Sequence, residues 1–344
     1  MIPISKLFDA KILVVHGNCP DGLASAMIIR QALPAIELKF LNHGTDEYYQ
    51  LPAVPGMIFC DIIPPPHRIE EFISAGAVCL DHHKQAEFFV KMFGELGMFG
   101  DEKHNPGVSG AVLACREVFE RVFEGDLDRD FSAIQEFATL IGVRDTFYKE
   151  HPEWQTACEV TSGLNFYSPE EMLAMPAAEW LPICKNIGKV LYQRNLKAAE
   201  KSIKTAHTFT SALGTRVLIF EGTKASSNAA DLLDQDYDLV IGYASQIISS
   251  KLQIIFSTRS HTNFDCGAFC SAQGGGGHTQ AAGFTYFTHE RWRYTWWQKI
   301  LSLFQDPQRT ISHPFYLFEQ ILHDYEMGLV TSAEEAQNFI ANVQ

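Results

Sequence analysis

Three histidines and four aspartates of this chain stand where chemistry would use them, at the ends of strand-like runs and on the turns that follow. His16 comes directly after KILVV (11–15), Asp61 directly after MIFC (57–60), and Asp81, His82 and His83 directly after AVCL (77–80). Asp21 lies on the turn that would open the first helix, and Asp145 follows Gly142-Val143-Arg144. Carboxylate oxygens mixed with imidazole nitrogens suit Mn²⁺, Mg²⁺, Fe²⁺, Co²⁺ or Zn²⁺. Two such ions sharing one carboxylate can activate a water and clamp a phosphoryl group for in-line displacement. Asp61, arriving from a central strand, is the natural shared ligand. Singly, these residues have plain readings: His16 as a strand-end histidine bonded to backbone, Asp21 as a helix N-cap. Together they point to metal, because ligand clusters rather than single residues carry that reading.

The elements that must position them alternate in kind. KILVV, IELKF (36–40), MIFC and AVCL read as strands. Residues 22–33, 67–75 and 109–123 have helical period, which predicts a parallel sheet with crossover helices. In such a sheet the ligand site lies beyond the carboxyl ends of the strands, near a topological switch point. A further apolar helix over 131–142 is expected to stop at Gly142, leaving Asp145 in a loop. Helical pattern continues over 168–206, with SPEE (168–171) as a capped start. A second α/β unit begins near 214, with strands TRVLIF (215–220), LVIGYA (239–244) and LQIIFSTR (252–259), and a helix near 226–234. It closes in the glycine-rich GGGGHTQAAGF (274–284), and residues from 289 read as helices rich in Trp, Phe and Leu. The fold class is α/β: an N-terminal, mostly parallel sheet with helices on both faces, a helical linker, a smaller C-terminal α/β domain and a helical tail. The expected boundaries are 1–160, 161–208, 209–288 and 289–344.

The chain has 344 residues, 46% hydrophobic and 20% charged, enough for two cores. No apolar run approaches the roughly 20 residues that a membrane helix needs, and the start resembles no signal peptide, so the expected location is the cytoplasm. The eight scattered cysteines form no CxxC pair and read as reduced thiols. A net charge of −14 argues against a grip on long duplex DNA and for a small phosphorylated partner. The stripe RWRYTWWQKILSLF (291–304) reads as core or as the surface of a homodimer.

At the candidate residues the sequence resembles the DHH phosphoesterase superfamily, in the branch with a DHHA1-type second domain. The resemblance rests on HGNCPDGLASA (16–26), FCDIIPP (59–65), LDHHKQ (80–85), GVRDTF (142–147) and GGGGHTQAAGF, in that order. It implies one metal on His16 and Asp61 and a second on Asp21, Asp61, His82 and Asp145. It further implies that His83 contacts the scissile phosphate, with Asp81 supporting the ligands. The second domain would grip substrate through Arg259, His278 and the backbone of Gly275, Gly276 and Gly277. One departure stands out. Many relatives carry Asp-x-Asp-Gly where this chain has Cys19-Pro20-Asp21-Gly22, although a related branch shares HGNCPDG. Either the Cys19 thiolate is a ligand that softens the first site toward Zn²⁺ or Fe²⁺, or that site is weak.

The expected activity is hydrolysis of a phosphodiester bond in a small nucleotide or short oligonucleotide, with a divalent metal pair and Mn²⁺ as the leading ion. A phosphomonoesterase, a pyrophosphate or polyphosphate hydrolase, and a catalytically weakened nucleotide sensor are the alternatives.

Overall fold

The apolar runs that precede the candidate residues form strands. β1 (Ile12–His16), β2 (Glu37–Leu41), β3 (Met57–Cys60) and β4 (Val78–Asp81) join a short β5 (Gly97–Phe99) in one parallel sheet, ordered β2-β1-β3-β4-β5. This is a computed structural model, which describes residues 2–17, 19–126, 130–233, 236–248, 251–260, 262–287 and 314–328. Every residue of β3 and β4 is buried, as parallel strands covered on both faces must be.

Side-chain alternation divides the sheet's surroundings into two cores. Leu13, Val15, Ile58, Cys60, Val78 and Leu80 pack with the helix Pro20–Ala32, the helical run that starts at Gly110, and the helix Ser132–Asp145. Val14, Met57, Phe59 and Cys79 face the other way, onto Ile69 and Phe72 of helix Ile69–Ser74 and Val90 of helix Glu87–Met92. The expected α/β architecture, with helices on both faces of a parallel sheet, is present. β2 and β3 flank β1 on opposite sides, so the winding reverses there and a crevice opens beyond the carboxyl ends of β1 and β3.

The chain divides into two compact units, Met1–Gln193 and Arg194–Gln344. Much of the stretch read as a linker belongs to the first unit: Leu164, Met172, Trp180 and Cys184 sit in its core. The cap at Ser168 is a full capping box with Glu171.

The second unit is a mixed six-stranded sheet, ordered β10-β11-β9-β8-β7-β6: β6 (His207–Thr210), β7 (Arg216–Glu221), β8 (Leu239–Ile248), β9 (Lys251–Arg259), β10 (Gly276–Gly277) and β11 (Ala281–Phe287). Only β7 and β8 are parallel, linked through helix Ser226–Leu232. Helices Cys266–Ala272 and Pro314–Glu326 supply Phe269, Phe318 and Ile321 to its core. The 291–304 stripe lies outside the described residues. Among the described residues no helix is long and apolar enough to cross a membrane. All eight cysteines are free.

Candidate metal centre

The centre is built where the winding reverses. Directly after β3 the backbone turns left-handed at Asp61, φ 61°, a conformation that aspartate and asparagine tolerate better than other side chains. Its amide still donates to Leu80 O (3.0 Å), which holds the residue beside β4 and leaves its carboxylate buried. Asp21 is the second residue of helix Pro20–Ala32, whose N-cap is Cys19. Its fully buried carboxylate accepts from Ser109 Oγ (2.6 Å), Gly110 N (2.7 Å) and Ala111 N (3.0 Å). It therefore satisfies the unpaired amides at the start of the Gly110 helix, a task normally done by that helix's own cap residue. Gly110 has to be glycine for this approach: a Cβ there would lie 2.6 Å from Asp61 Cβ and 2.7 Å from Asp21 Oδ2.

Asp81 ends β4 and orders the two histidines after it. One oxygen, Oδ1, accepts from His82 N (2.7 Å), His83 N (2.8 Å) and His83 Nδ1 (2.8 Å). Burial pushes the Asp81 carboxyl up, but His83 and His82 beside it outweigh that and hold it at about 2. His82 meets Glu102 Oε1 through Nδ1 (3.2 Å). That leaves Nε2 facing Asp61 Oδ1 (3.3 Å), Asp145 Oδ2 (3.5 Å) and Asp21 Oδ2 (3.6 Å).

The six residues read as ligands thus converge. His16, Cys19 and Asp61 offer donor atoms within 4.8 Å of one another, as do Asp21, Asp61 and His82, so Asp61 belongs to both groups. Asp145 joins the second group from a different place than expected. It is the last residue of helix Ser132–Asp145, which runs straight through Gly142, and not a loop residue. The turn after it is pinned by Phe147 at φ 59° and by the Arg144 guanidinium over the rings of Trp154 (4.8 Å) and Phe147 (5.5 Å). Sequence reasoning misses Ser109 and Glu102. Ser109 precedes an amphipathic helix and looks like an ordinary cap, while Glu102 lies in the charged turn DEKHN and carries no signal of its own.

The donor set fits divalent cations. Asp61 Oδ2 is buried and accepts no hydrogen bond, with His16 Nδ1 3.9 Å away. Burial, then the charges of Asp61 and Asp145, push the Asp21 carboxyl well above its usual range. Burial and the three aspartates do the same to the Cys19 thiol. Burial alone would lower His82, but its bonds to Asp61 and Glu102 and the charges of Asp145 and Asp21 raise it well above an ordinary imidazole. All three shifts report a cluster short of positive charge.

A pH dependence follows. Raised groups stabilise the metal-free fold fully below their unfolded values, roughly 3.9 for Asp and 6.5 for His, and lose that contribution as pH rises through the folded values. Asp81 acts in the opposite sense: its contribution is present above roughly 3.9 and is lost as pH falls toward about 2. Between pH 5 and 8 the metal-free melting temperature should therefore fall. Metal binding should release protons and tighten with pH, by up to about tenfold per pH unit for each proton released. Calorimetry in buffers of different ionisation enthalpy measures that release. Affinity independent of pH would contradict it.

In the second unit, Arg259, Gly275, Gly276 and Gly277 line one cavity of ≈ 520 Å³ with Thr223 and Ser257. Arg259 is oriented by Ser227 Oγ (2.8 Å), Ser257 Oγ (3.1 Å) and Thr258 O (2.7 Å). Two backbone amides of the glycine-rich run are bonded within the unit. Gly275 N donates to Cys270 O (2.8 Å) and His278 N to Ala281 O (2.7 Å). A Cβ on Gly275 would lie 2.1 Å from Gly283 O, and one on Gly277 2.6 Å from Ala281 O, so tight pairing with β11 accounts for these glycines. His278 is buried at the following turn.

No protein-family model and no curated protein matches the chain. Solved structures do. A pGpG-specific phosphodiesterase, PggH, from Vibrio cholerae is 12% identical over 86% of this chain and 97% of its own, TM-score 0.37. The DHH domain of a member of the s1p family of ribosomal proteins is 13% identical over 87% of each chain, TM-score 0.41. RecJ with Mn²⁺ from Thermus thermophilus is 16% identical over 82% of this chain and 50% of its own, TM-score 0.45.

Proposed function

We propose that this chain is a DHH-superfamily phosphoesterase that hydrolyses a phosphodiester bond in a small nucleotide or short oligonucleotide. The observation that carries this reading is the convergence of His16, Cys19, Asp21, His82 and Asp145 around the shared, buried Asp61. His16, Cys19 and Asp61 would hold one ion; Asp21, Asp61, His82 and Asp145 would hold the other. Such ions, when bound, supply a water of lowered pKa and a charge that polarises a phosphoryl oxygen. Mn²⁺ suits the oxygen-rich group, while the Cys19 sulfur favours Zn²⁺ or Fe²⁺ beside it.

The chain's own groups do the rest. Glu102 fixes the His82 ring so that Nε2 faces the carboxylates. Asp81, ionised throughout the working range, holds His83 by Nδ1 and leaves Nε2 of that ring as its second polar atom. His83 would donate from Nε2 to the phosphoryl oxygen as charge builds there. Arg259, already oriented by its serines, would fork onto a phosphate in the glycine-walled cavity. The net charge of −14 supports a short partner over a long polyanion, and the eight free thiols suit a reducing compartment such as the cytoplasm.

With Mn²⁺ added, the purified protein should hydrolyse a short single-stranded oligonucleotide at least about tenfold faster than pyrophosphate or a phosphate monoester. Turnover of pyrophosphate alone would replace this reading with the pyrophosphatase one. Full metal loading with no turnover of any of the three would leave the sensing module.

A further inference from the structure

We propose that the rim of the centre beside His16 is a stacking site for the bases of a single-stranded oligonucleotide, formed by His43 and Tyr49 with His67 beyond them. This rests on the phosphodiesterase reading and names the feature by which the same site would select nucleic acid over inorganic or monoester phosphate.

A line of aromatic rings leaves the centre. The His16 and His43 ring centroids are 5.8 Å apart, His43 and Tyr48 5.1 Å, Tyr48 and Tyr49 5.3 Å, and Tyr49 and His67 5.8 Å. Tyr48 is buried, but His43, Tyr49 and His67 are exposed. Scattered exposed aromatics need no explanation; a contiguous row that begins at a ligand of a proposed phosphoryl-transfer centre does.

The loop that carries the row is fixed. Tyr48 anchors it from below, its hydroxyl donating to Ile63 O (3.1 Å). Thr45 Oγ1 accepts from Tyr48 N (3.3 Å) and donates to Asn42 O (2.9 Å), closing the short helix Asp46–Tyr49. From outside, Arg68 donates to Tyr49 O (2.9 Å) and Leu51 O (2.8 Å). A loop held this way has little backbone freedom left to lose when a base stacks on its rings, and every base offers a face to stack.

Charge narrows the occupant. The Arg68 guanidinium is already met by Glu71 (2.6 Å), and Asp46 and Glu47 are exposed on the same turn as Tyr49. A phosphate backbone running along this rim would meet repulsion, whereas a neutral base would not. The arrangement therefore suits one or two bases next to a phosphate held at the centre. Pyrophosphate has no ring to offer.

The test compares a trinucleotide with its abasic counterpart, and follows the fluorescence of a 2-aminopurine trinucleotide with Ca²⁺ in place of the working ion. His43→Ala and Tyr49→Ala should each lower the ratio of kcat/KM between based and abasic substrate by about 5- to 100-fold, and should weaken 2-aminopurine quenching in parallel. Tyr49→Phe should keep both. Ratios and quenching equal to wild type in both alanine variants would overturn the proposal while leaving phosphodiester hydrolysis intact. Quenching that depends on the two rings, in a protein that turns over neither substrate, would uphold the base site and remove the hydrolytic reading instead.

Discussion

Asp61→Asn should abolish phosphodiester hydrolysis, by about 10³-fold or more, while making the metal-free protein more stable. The two effects share one cause. Asp61 contributes a donor atom to both ligand groups, and its Oδ2 is buried without a hydrogen bond. Neutralising it removes the shared ligand, and with it charge stabilisation worth several kcal/mol in the transition state. In the absence of metal the same carboxylate is a liability, because it sits among Asp21 and Asp145 and pushes the Asp21 carboxyl upward. Removing one like charge should relieve that repulsion and raise the metal-free melting temperature, by about 2–4 °C for each kcal/mol relieved. Asparagine is the informative substitution because it accepts the left-handed backbone that Asp61 adopts. Alanine would add strain of roughly 1 kcal/mol and blur the comparison. Metal content, melting curves with and without Mn²⁺, and oligonucleotide turnover together read the outcome. Retained turnover would reject the shared-ligand role, and an unchanged metal-free melting temperature would reject the electrostatic account.

The centre was legible because buried parallel strands are short continuous apolar runs, so the polar residue after each run inherits a place at the sheet's edge. His16, Asp61 and Asp81 are all of this kind. What could not be read depended on tertiary approach. Gly142 looked like a helix stop, yet the helix continues to Asp145, and the glycine is needed instead for close packing, since a Cβ at 142 would lie 2.1 Å from Gly107 O. β5 has only three residues and no pattern of its own. The glycine-rich run at 274–277 read as an anion cradle, and the sequence did not show that Gly275 and Gly277 also have to lack a Cβ because they pass so close to β11 and its turn. Asp21 had a visible local role as the opening residue of its helix. Its bonds to Ser109, Gly110 and Ala111, about ninety residues on, follow only from the packing of two helices across the same sheet face.

That packing makes Gly110→Ala the sharpest structural test. In an exposed helix the change should stabilise by about 0.5–1 kcal/mol, since alanine is the better helix former. At this position the sign should reverse. The new methyl would lie 2.6 Å from Asp61 Cβ, 2.7 Å from Asp21 Oδ2 and 3.0 Å from Ser25 Oγ. None of these can retreat easily: Asp61 is tied to Leu80 O at a left-handed turn, and Asp21 is held by three donors. Overpacking of this kind costs about 1–3 kcal/mol, occasionally more. Either carboxylate moving aside would change the separation of Asp61, Asp21 and His82 Nε2, so metal affinity should fall by about 10- to 100-fold as it does when a supporting residue is lost. Thermal melts of the metal-free and Mn²⁺-loaded variants separate the two effects, because packing lowers both curves and lost affinity shrinks the gap between them. A Gly110→Ala protein that melts higher than wild type and binds Mn²⁺ as tightly would mean that the helix start and the two aspartates are farther apart than this geometry requires, and that the glycine was retained for no reason connected with the centre.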